Sequence, residues 1–301
     1  MSLPPYLTEG DLEAIITRGL LEDVGSGDVT TLATVEPGVR AEATFLAKAD
    51  GVLAGTVVVE RVFRAVDPEV SVEWLAADAD LVRPGQVFGR LYGPAAAMLT
   101  GERLALNFMQ RMSGIATAAR AMADAMLPHP ARLLDTRKTV PGLRSLDKWA
   151  VLLGGATNHR VGLWDMILIK DNHIAAAGGV AEAIRAAQVW RATNDRRDLR
   201  IEIEVRTDDE LAEVLRTGSV DVILLDNMVD RRADGSIDVS RLERAVREIG
   251  GRYPAEASGN VSLETVKTIA ATGVAFISAG SLTHSVRALD ISLEITLASG
   301  A

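Results

Sequence analysis

The second half of the chain alternates short apolar runs with longer amphipathic stretches, and this alternation limits the possible folds more than any other feature. From Arg132 onward, about six apolar runs are separated by stretches with helical periodicity. Repeated strand–helix units fold with parallel strands, because each helix carries the chain back across the sheet. About six units are fewer than the eight of a closed barrel, so the sequence predicts an incomplete, open α/β barrel.

The predicted strands of this barrel are short and apolar, and most are followed along the chain by a predicted helix. They lie near Leu133 and Ala255 and over Met166–Ile169, Ile201–Ile203, Val222–Leu225 and Ala275–Ile277. The intervening helices are predicted over Leu146–Leu153, Val180–Ala192, Asp208–Leu215, Ser240–Ile249 and Leu263–Ala271.

The first hundred residues predict a separate layer of strands with helices on one face. Thr8 followed by Asp11 is typical of a capping box that begins a helix. The remaining elements are predicted strands over Arg40–Ala49, Val70–Leu75 and Val87–Tyr92 and helices over Val57–Val66 and Ala95–Leu127. The last helix is predicted to break or bend near Ser113 and Gly114 and to connect two domains.

Charge and composition exclude several classes of protein. The 301-residue chain has a formal net charge of -9 and no Cys. It therefore lacks the basic balance of a nucleic-acid-binding domain, and it contains no disulfide or thiolate metal site. No apolar run approaches the roughly 18 to 20 residues of a membrane span, and Glu9, Asp11 and Glu13 stand where a secretory signal is basic. We expect a soluble cytoplasmic protein without nucleic-acid or membrane partners.

Charged side chains follow the predicted barrel strands where an active site would form. The carboxyl ends of parallel strands meet at one end of a barrel, so residues in these loops converge. Residues 132–173 hold seven Lys or Arg against four Asp or Glu, which gives a local charge of +3 in an acidic chain. This cationic group comprises Arg137, Lys138, Arg160 and Lys170, with His159 and His173 beside them. An anionic ligand would explain it, since Arg and Lys bind carboxylates and phosphates.

Two acidic residues, Glu204 and Asp226, follow later strands. Two carboxylates opposite the cationic group suggest Mg²⁺, which takes one or two carboxylates together with phosphate oxygens. The alternative is a pair of core salt bridges. The glycines at Gly154–Gly155, Ser258–Gly259 and Gly280 would let backbone N–H groups approach a phosphate, or would only form tight turns. The motifs of zinc peptidases, serine hydrolases and dinucleotide-binding folds are absent.

Eight motifs in unbroken order resemble those of the quinolinate phosphoribosyltransferase family. They are Glu102–Asn107, Asp135–Thr139 with Pro141–Arg144, Asn158–Arg160, Leu168–His173, Glu202–Glu204, Leu225–Asn227, Glu256–Gly259 and Leu282–Ser285. The resemblance implies an N-terminal α/β sandwich domain over residues 1–115, an incomplete barrel over 116–284, and a segment 285–301 that returns to the first domain. Ala156 and Asn260 depart from the family pattern, in which Gly is usual at both positions.

The resemblance also implies an activity. Members of the family join quinolinate to phosphoribosyl pyrophosphate with Mg²⁺, giving nicotinate mononucleotide, pyrophosphate and CO₂ for NAD biosynthesis. The residues implied to bind quinolinate are Arg103, Arg137, Lys138, His159, Arg160 and Lys170. Those implied to bind phosphate are Ser258, Gly259, Gly280 and His284. Glu204 and Asp226 would hold Mg²⁺ beside the ribose. The proton for the decarboxylated carbon would come from Lys138, Lys170 or water. Arg103 would act from the neighbouring subunit of a homodimer, which could assemble further.

Two other functions stay open. A related pyrophosphorylase could act on another ring acid without decarboxylation, because it could share the fold and the phosphate site. A non-catalytic protein could instead bind a phosphorylated metabolite with the same cationic residues. The full cationic set argues against the first, and the presence of both Glu204 and Asp226 argues against the second.

Overall fold

The structure is a computed structural model that describes residues 3–232 and 236–297. Residues 1, 2 and 298–301 of the predicted N-terminal domain, and residues 233–235 of the predicted barrel, lie outside the described residues. The helices are α1 (Glu9–Asp23), α2 (Val29–Thr34), α3 (Thr56–Val66), α4 (Ala95–Ala125), α5 (Arg144–Leu153), α6 (Asp171–Ala177), α7 (Val180–Thr193), α8 (Asp208–Thr217), α9 (Ser240–Ile249), α10 (Val266–Ala270) and α11 (Ser281–His284). The strands are β1 (Arg40–Ala47), β2 (Gly51–Val52), β3 (Ser71–Trp74), β4 (Leu81–Val82), β5 (Val87–Pro94), β6 (Arg132–Leu134), β7 (Ile167–Ile169), β8 (Ile201–Val205), β9 (Val222–Asp226), β10 (Asp230–Arg231), β11 (Ile237–Asp238), β12 (Ala255–Ser258), β13 (Phe276–Ser278) and β14 (Ile291–Leu297).

The described residues form two compact units. The first comprises those within 1–120, 139–155 and 282–301, and the second comprises those within 121–138 and 156–281. No helix within the described ranges is long and apolar enough to cross a membrane.

The first unit is built on a four-stranded antiparallel sheet with the order β14-β1-β5-β3. Its apolar face carries an aromatic cluster in which the Phe45 and Phe88 rings lie 5.8 Å apart and the Phe45 and Trp74 rings lie 5.2 Å apart. The predicted start of α1 is confirmed, because the Thr8 hydroxyl accepts from the Asp11 N–H and the Asp11 carboxylate accepts from the Thr8 N–H. Side-chain packing on one face of the sheet therefore forms the core of this unit.

The predicted break in the long helix is wrong, because α4 runs without interruption from Ala95 to Ala125. A Cβ atom at Gly114 would lie 2.3 Å from the carbonyl oxygen of Arg287, so glycine lets another segment of the same unit approach the helix. The Ser113 hydroxyl accepts from the Ala54 N–H at 2.9 Å. Gly114 and Ser113 therefore contact neighbouring segments of the same unit, and they do not interrupt the helix.

The second unit confirms the predicted open barrel. Its sheet contains six strands in the order β6-β13-β12-β9-β8-β7, and every adjacent pair is parallel. Each predicted barrel strand overlaps an observed one, and all five residues of β8 are buried. Burial of a whole strand is typical of a parallel sheet whose two faces are both covered. The carboxyl ends of all six strands lie at one end of the unit, as the parallel pairing requires.

Candidate active site

Most predicted site residues of the second unit lie at or just beyond the carboxyl ends of its strands. Arg137 and Lys138 follow β6, Lys170 follows β7, Asp226 and Ser258 end β9 and β12, and Gly280 follows β13. A parallel bridge between Leu134 and Thr157 runs the segment containing His159 and Arg160 beside the end of β6. Glu204 is the penultimate residue of β8, and its side chain is only 3% exposed.

Charged residues at the ends of β7, β8 and β9 form a connected network. The Lys170 ammonium bonds to Oε2 of Glu204. The Arg206 guanidinium lies 3.0 Å from Oε1 of Glu204, 3.3 Å from Oδ2 of Asp226 and 2.6 Å from Oδ2 of Asp171. Burial raises the pKa of Asp226, and the negative charge of Glu204 raises it further. The two predicted metal ligands therefore lie close enough to repel each other.

This carboxylate pair fits a divalent cation. Glu204 and Asp226 offer the hard oxygen ligands that Mg²⁺ prefers, and their mutual repulsion favours a bound cation. In the structure, Lys170 and Arg206 supply the compensating positive charge. The core salt-bridge alternative is therefore also visible in the geometry, although Asp226 and Lys170 are partly exposed rather than sealed in the core.

A second acidic pair lies deeper in the same unit. Nε2 of His159 lies 3.1 Å from Oε2 of Glu202 and 3.6 Å from Oε2 of Glu256, and both carboxyl side chains are only 2% exposed. Nδ1 of His159 accepts the backbone N–H of Arg160 at 2.8 Å. This hydrogen bond leaves the ring proton on Nε2, facing the carboxyl pair.

The buried pair has shifted proton affinities. Burial raises the pKa of Glu202 to about 7. Burial and the nearby charge of Glu202 raise the pKa of Glu256 to about 8. The three residues also place potential ligand atoms within 4.8 Å of one another. A shared hydrogen bond between the two carboxyl groups fits a pair that retains a proton near neutral pH.

Two arginines, Arg137 and Arg160, lie close enough for their charges to interact, and the charge of Glu202 also acts on Arg160. Burial lowers the pKa of Arg160, and the positive charge of Arg137 lowers it further. Nε of Arg137 is buried and has no hydrogen-bond acceptor among the described residues. Asp135 fixes the segment that contains Asn158 and His159. Its carboxylate accepts from the Asn158 amide at 2.7 Å and from the His159 N–H at 2.8 Å. Two adjacent guanidinium groups held on a fixed backbone can bind an anion such as a carboxylate.

The loop after β12 is shaped by left-handed backbone positions. Gly259 has φ +95°, and a Cβ atom there would lie 2.2 Å from Oδ1 of Asn227. Asn260 has φ 55°, so the Asn that replaces the usual Gly adopts the left-handed geometry this residue tolerates. Ala156 is buried, and its φ is not among the positive values of the described residues. Neither departure from the family pattern forces a different backbone.

Two predicted site residues belong to the first unit. Arg103 lies on α4 with an exposed side chain, as does Asn107, while Leu104 and Phe108 on the other side of the helix are buried. His284 ends α11, and its Nδ1 lies 2.7 Å from the Ser285 hydroxyl. Arg103 and Asn107 therefore form an exposed polar stripe on α4.

No role was predicted from the sequence for Glu202, Glu256 or Arg206. The spacing of Glu202, Glu204 and Arg206 contained a usable signal, because residues two apart in a strand point to the same face. That rule places Glu202 one layer below Glu204. The contact of Arg206 with Asp226 joins two loops 20 residues apart, and no local pattern indicates it.

Comparison with known proteins agrees with this geometry. The quinolinate phosphoribosyl transferase N-terminal domain family matches residues 28–113, and the corresponding C-terminal domain family matches residues 115–294. The chain belongs to the quinolinate phosphoribosyltransferase family. It is 52% identical over 298 residues to the chloroplastic nicotinate-nucleotide pyrophosphorylase [carboxylating] of Oryza sativa subsp. japonica, covering 97% of this chain and 80% of that protein.

Two further relatives extend the comparison. Quinolinate phosphoribosyltransferase [decarboxylating] 2, mitochondrial, of Nicotiana glauca is 51% identical, covering 97% of this chain and 84% of that protein. The crystal structure of NadC from Streptococcus pyogenes has a TM-score of 0.88 at 37% identity, covering 98% of this chain and 100% of that one. The family and fold implied by the sequence motifs are therefore confirmed.

The predicted cytoplasmic location is wrong. Three relatives at 50 to 52% identity are named chloroplastic or mitochondrial, which contradicts it. The prediction depended on the absence of Cys and of apolar runs and on the acidic residues near the first Met. Those properties reflect the chemistry of a folded domain, and they do not determine the subcellular location of the protein.

Proposed function

We propose that this chain transfers the phosphoribosyl group of phosphoribosyl pyrophosphate to quinolinate and removes one carboxylate, giving nicotinate mononucleotide, pyrophosphate and CO₂. The observation that carries the proposal is the pairing of two neighbouring guanidinium groups, Arg137 and Arg160, with a carboxylate pair at the same strand ends. The names of two relatives that are 52% and 51% identical to this chain support the same reaction.

Recognition of quinolinate requires positive charge on both ring carboxylates. The proposed binding residues of the second unit are Arg137, Lys138, His159, Arg160 and Lys170. Both ring nitrogens of His159 are engaged within the protein, so it would act by positioning Arg160. Charge-assisted hydrogen bonds of this kind contribute about 1.5–3 kcal/mol each. The unsatisfied Nε of Arg137 supports the assignment, because a buried donor without an acceptor gains from a bound carboxylate.

Transfer begins when the ring nitrogen attacks the anomeric carbon of the ribose and pyrophosphate departs. Glu204 and Asp226 would hold Mg²⁺, which when bound supplies positive charge to the departing pyrophosphate. The two carboxylates would also favour the positive charge that develops on the sugar. Phosphate groups would be bound by Ser258, Gly259, Gly280 and His284.

Decarboxylation follows transfer in this proposal. The quaternised ring nitrogen stabilises the carbanion left at the neighbouring carbon, so the protein need supply no general base. The proposed proton donor to that carbon is Lys138 or Lys170, with water as the alternative. The bond from Lys170 to Glu204 places its ammonium group at the strand ends where this chemistry would occur.

The complete site is proposed to form in a homodimer, with higher assembly left open. Arg103 would then reach the quinolinate site of the neighbouring subunit. Its exposed side chain on α4 supports this role, because an exposed Arg on a polar helix stripe is free to meet a partner.

Incubation with quinolinate, phosphoribosyl pyrophosphate and Mg²⁺, followed by measurement of nicotinate mononucleotide, pyrophosphate and CO₂, tests the proposal. All three products are expected. Pyrophosphate release without CO₂, with another ring acid as the better substrate, would support the non-decarboxylating alternative. Tight phosphometabolite binding without pyrophosphate release would support the non-catalytic one.

A further inference from the structure

Arg206 occupies the position between the two proposed metal ligands. Its guanidinium lies within 3.3 Å of an oxygen of Glu204, Asp226 and Asp171. The distances are those of charge-assisted hydrogen bonds at Glu204 and Asp171 and of a longer one at Asp226. A divalent cation that binds Glu204 and Asp226 must therefore compete with a positive charge already bound to both.

The backbone of Arg206 is fixed, whereas its side chain is accessible. The Arg206 N–H donates to Oε2 of Glu210 at 2.7 Å, and its carbonyl oxygen accepts from the Arg241 guanidinium. The side chain is 48% exposed, while that of Glu204 is only 3% exposed. Rotation about the side-chain bonds can thus carry the guanidinium away from the carboxylates without moving the strand end.

We propose that Arg206 is an exchangeable counter-cation of the metal site, which holds Glu204 and Asp226 in the free protein and is displaced when a divalent cation binds with phosphoribosyl pyrophosphate. The inference rests on the proposed function. Displacement leaves the planar guanidinium with donors suited to phosphate oxygens. Arg206 therefore weakens binding of the bare metal and strengthens binding of the metal together with the diphosphate substrate.

The test is Mn²⁺ binding to the purified full chain, followed by electron paramagnetic resonance of the free ion. The variants are Arg206→Met, which removes the charge, and Arg206→Lys, which retains it without the planar fork. Arg191→Met is the matched control, because Arg191 pairs with Asp221 at 3.1 Å before β9, at the opposite end of the strand from Asp226. Glu204→Gln identifies the signal that belongs to the proposed ligands.

Arg206→Met is expected to bind Mn²⁺ alone at least about tenfold more tightly than the wild type, a ratio equivalent to about 1.4 kcal/mol. In the presence of Mn²⁺, the same variant is expected to bind phosphoribosyl pyrophosphate several-fold more weakly. Both affinities of Arg206→Lys should lie between those of the wild type and those of Arg206→Met. Both affinities of Arg191→Met should match those of the wild type. A merely structural role would change both affinities in the same direction.

Equal or weaker Mn²⁺ binding by Arg206→Met overturns the inference, and so does failure of every variant to bind Mn²⁺ at millimolar concentration. If Arg206→Met does not fold, Arg206→Lys decides, because Mn²⁺ affinity equal to the wild type contradicts competition by the fork. Failure of the proposed function has a separate signature. Wild-type protein would then form no nicotinate mononucleotide from quinolinate, whatever its affinity for Mn²⁺.

Discussion

Nε2 of His159 lies 3.1 Å from Oε2 of Glu202, and the charge of Glu202 acts on Arg160, one of the two arginines proposed to bind quinolinate. Glu256 completes the group at 3.6 Å from the same nitrogen, and the Ser278 hydroxyl bonds to Glu256. His159 thus links a buried carboxyl pair on one side to the backbone N–H of Arg160 on the other. The pair affects both the stability of the barrel and the position of a binding residue.

The first prediction concerns the pH dependence of stability. The pKa of Glu256 rises from 4.5 to about 8, so between these pH values the folded protein binds more protons than the unfolded chain. The stabilisation is complete below about pH 4.5 and is lost as the pH rises through about 8. Glu256→Gln cannot ionise, so its Tm should fall less between pH 5 and pH 8, by roughly 2–4 °C for each kcal/mol of linkage removed.

Differential scanning calorimetry at several pH values measures this effect. Glu213→Gln is the control, since Glu213 is partly buried and accepts from the Ala181 N–H outside the acidic pair. Wild type and Glu213→Gln should have the same pH dependence. An unchanged slope in Glu256→Gln would show that Glu256 does not take up a proton on folding.

The second prediction separates metal-dependent transfer from quinolinate binding. Glu204→Gln and Asp226→Asn should each lower kcat/KM by roughly a hundredfold or more, because each removes charge that stabilises the transition state. The quinolinate Kd from calorimetry should stay within about threefold of the wild type. A parallel loss of quinolinate affinity would place the two carboxylates in the quinolinate site instead.

The third prediction concerns the choice of substrate. Nicotinate lacks the 2-carboxylate, so its binding would leave a buried donor such as Nε of Arg137 without a partner. Discrimination of this kind can reach about ten-thousand-fold in kcat/KM. Steady-state kinetics with both acids provide the comparison. Similar kcat/KM values would contradict the proposed role of the cationic residues.

The fourth prediction tests the shared site of the proposed dimer. Arg103→Ala and Lys138→Ala should each be nearly inactive alone, and a co-refolded mixture should regain roughly a quarter of the wild-type activity. Half of the random dimers are hybrids, and one of the two sites in each hybrid contains both residues intact. Subunit exchange is verified by mass spectrometry. A mixture as inactive as its parents would show that Arg103 does not act across an interface.

The fifth prediction concerns the close approach to α4. Gly114→Ala should destabilise the protein by about 1–3 kcal/mol, because its Cβ atom would lie 2.3 Å from the Arg287 carbonyl oxygen. Gly10→Ala in α1 is the control, since the nearest atom to its Cβ would be 3.9 Å away. Urea unfolding compares the two. Equal stability of both variants would contradict the packing described for α4.

The barrel could be predicted from sequence because each of its strands is a short apolar run, and local burial determines that pattern. Glu202 interrupts such a run, yet it was assigned no role because its partners His159 and Glu256 come from distant segments. The break predicted near Gly114 is wrong for a related reason. A glycine in a helix has the same local sequence signal whether it breaks the helix or accommodates another segment.

The site was predictable to the extent that its residues follow strands. Lys170, Glu204 and Asp226 were located by that rule and by the family motifs, and the structure connects them through a network of charges. Arg206 was missed because it belongs to none of the family motifs and no local pattern distinguishes it from a solvated loop residue. Its three carboxylate contacts depend on the relative positions of β7, β8 and β9, which only the folded sheet determines.

The most direct measurement of the central claim is the fate of a ¹³C label in the 2-carboxylate of quinolinate. The labelled acid is incubated with phosphoribosyl pyrophosphate, Mg²⁺ and the protein, and the products are measured by NMR. The account predicts labelled CO₂, pyrophosphate and unlabelled nicotinate mononucleotide in equal amounts, with none formed when phosphoribosyl pyrophosphate is omitted. Retention of the label in a nucleotide product, or no turnover at all, would contradict it.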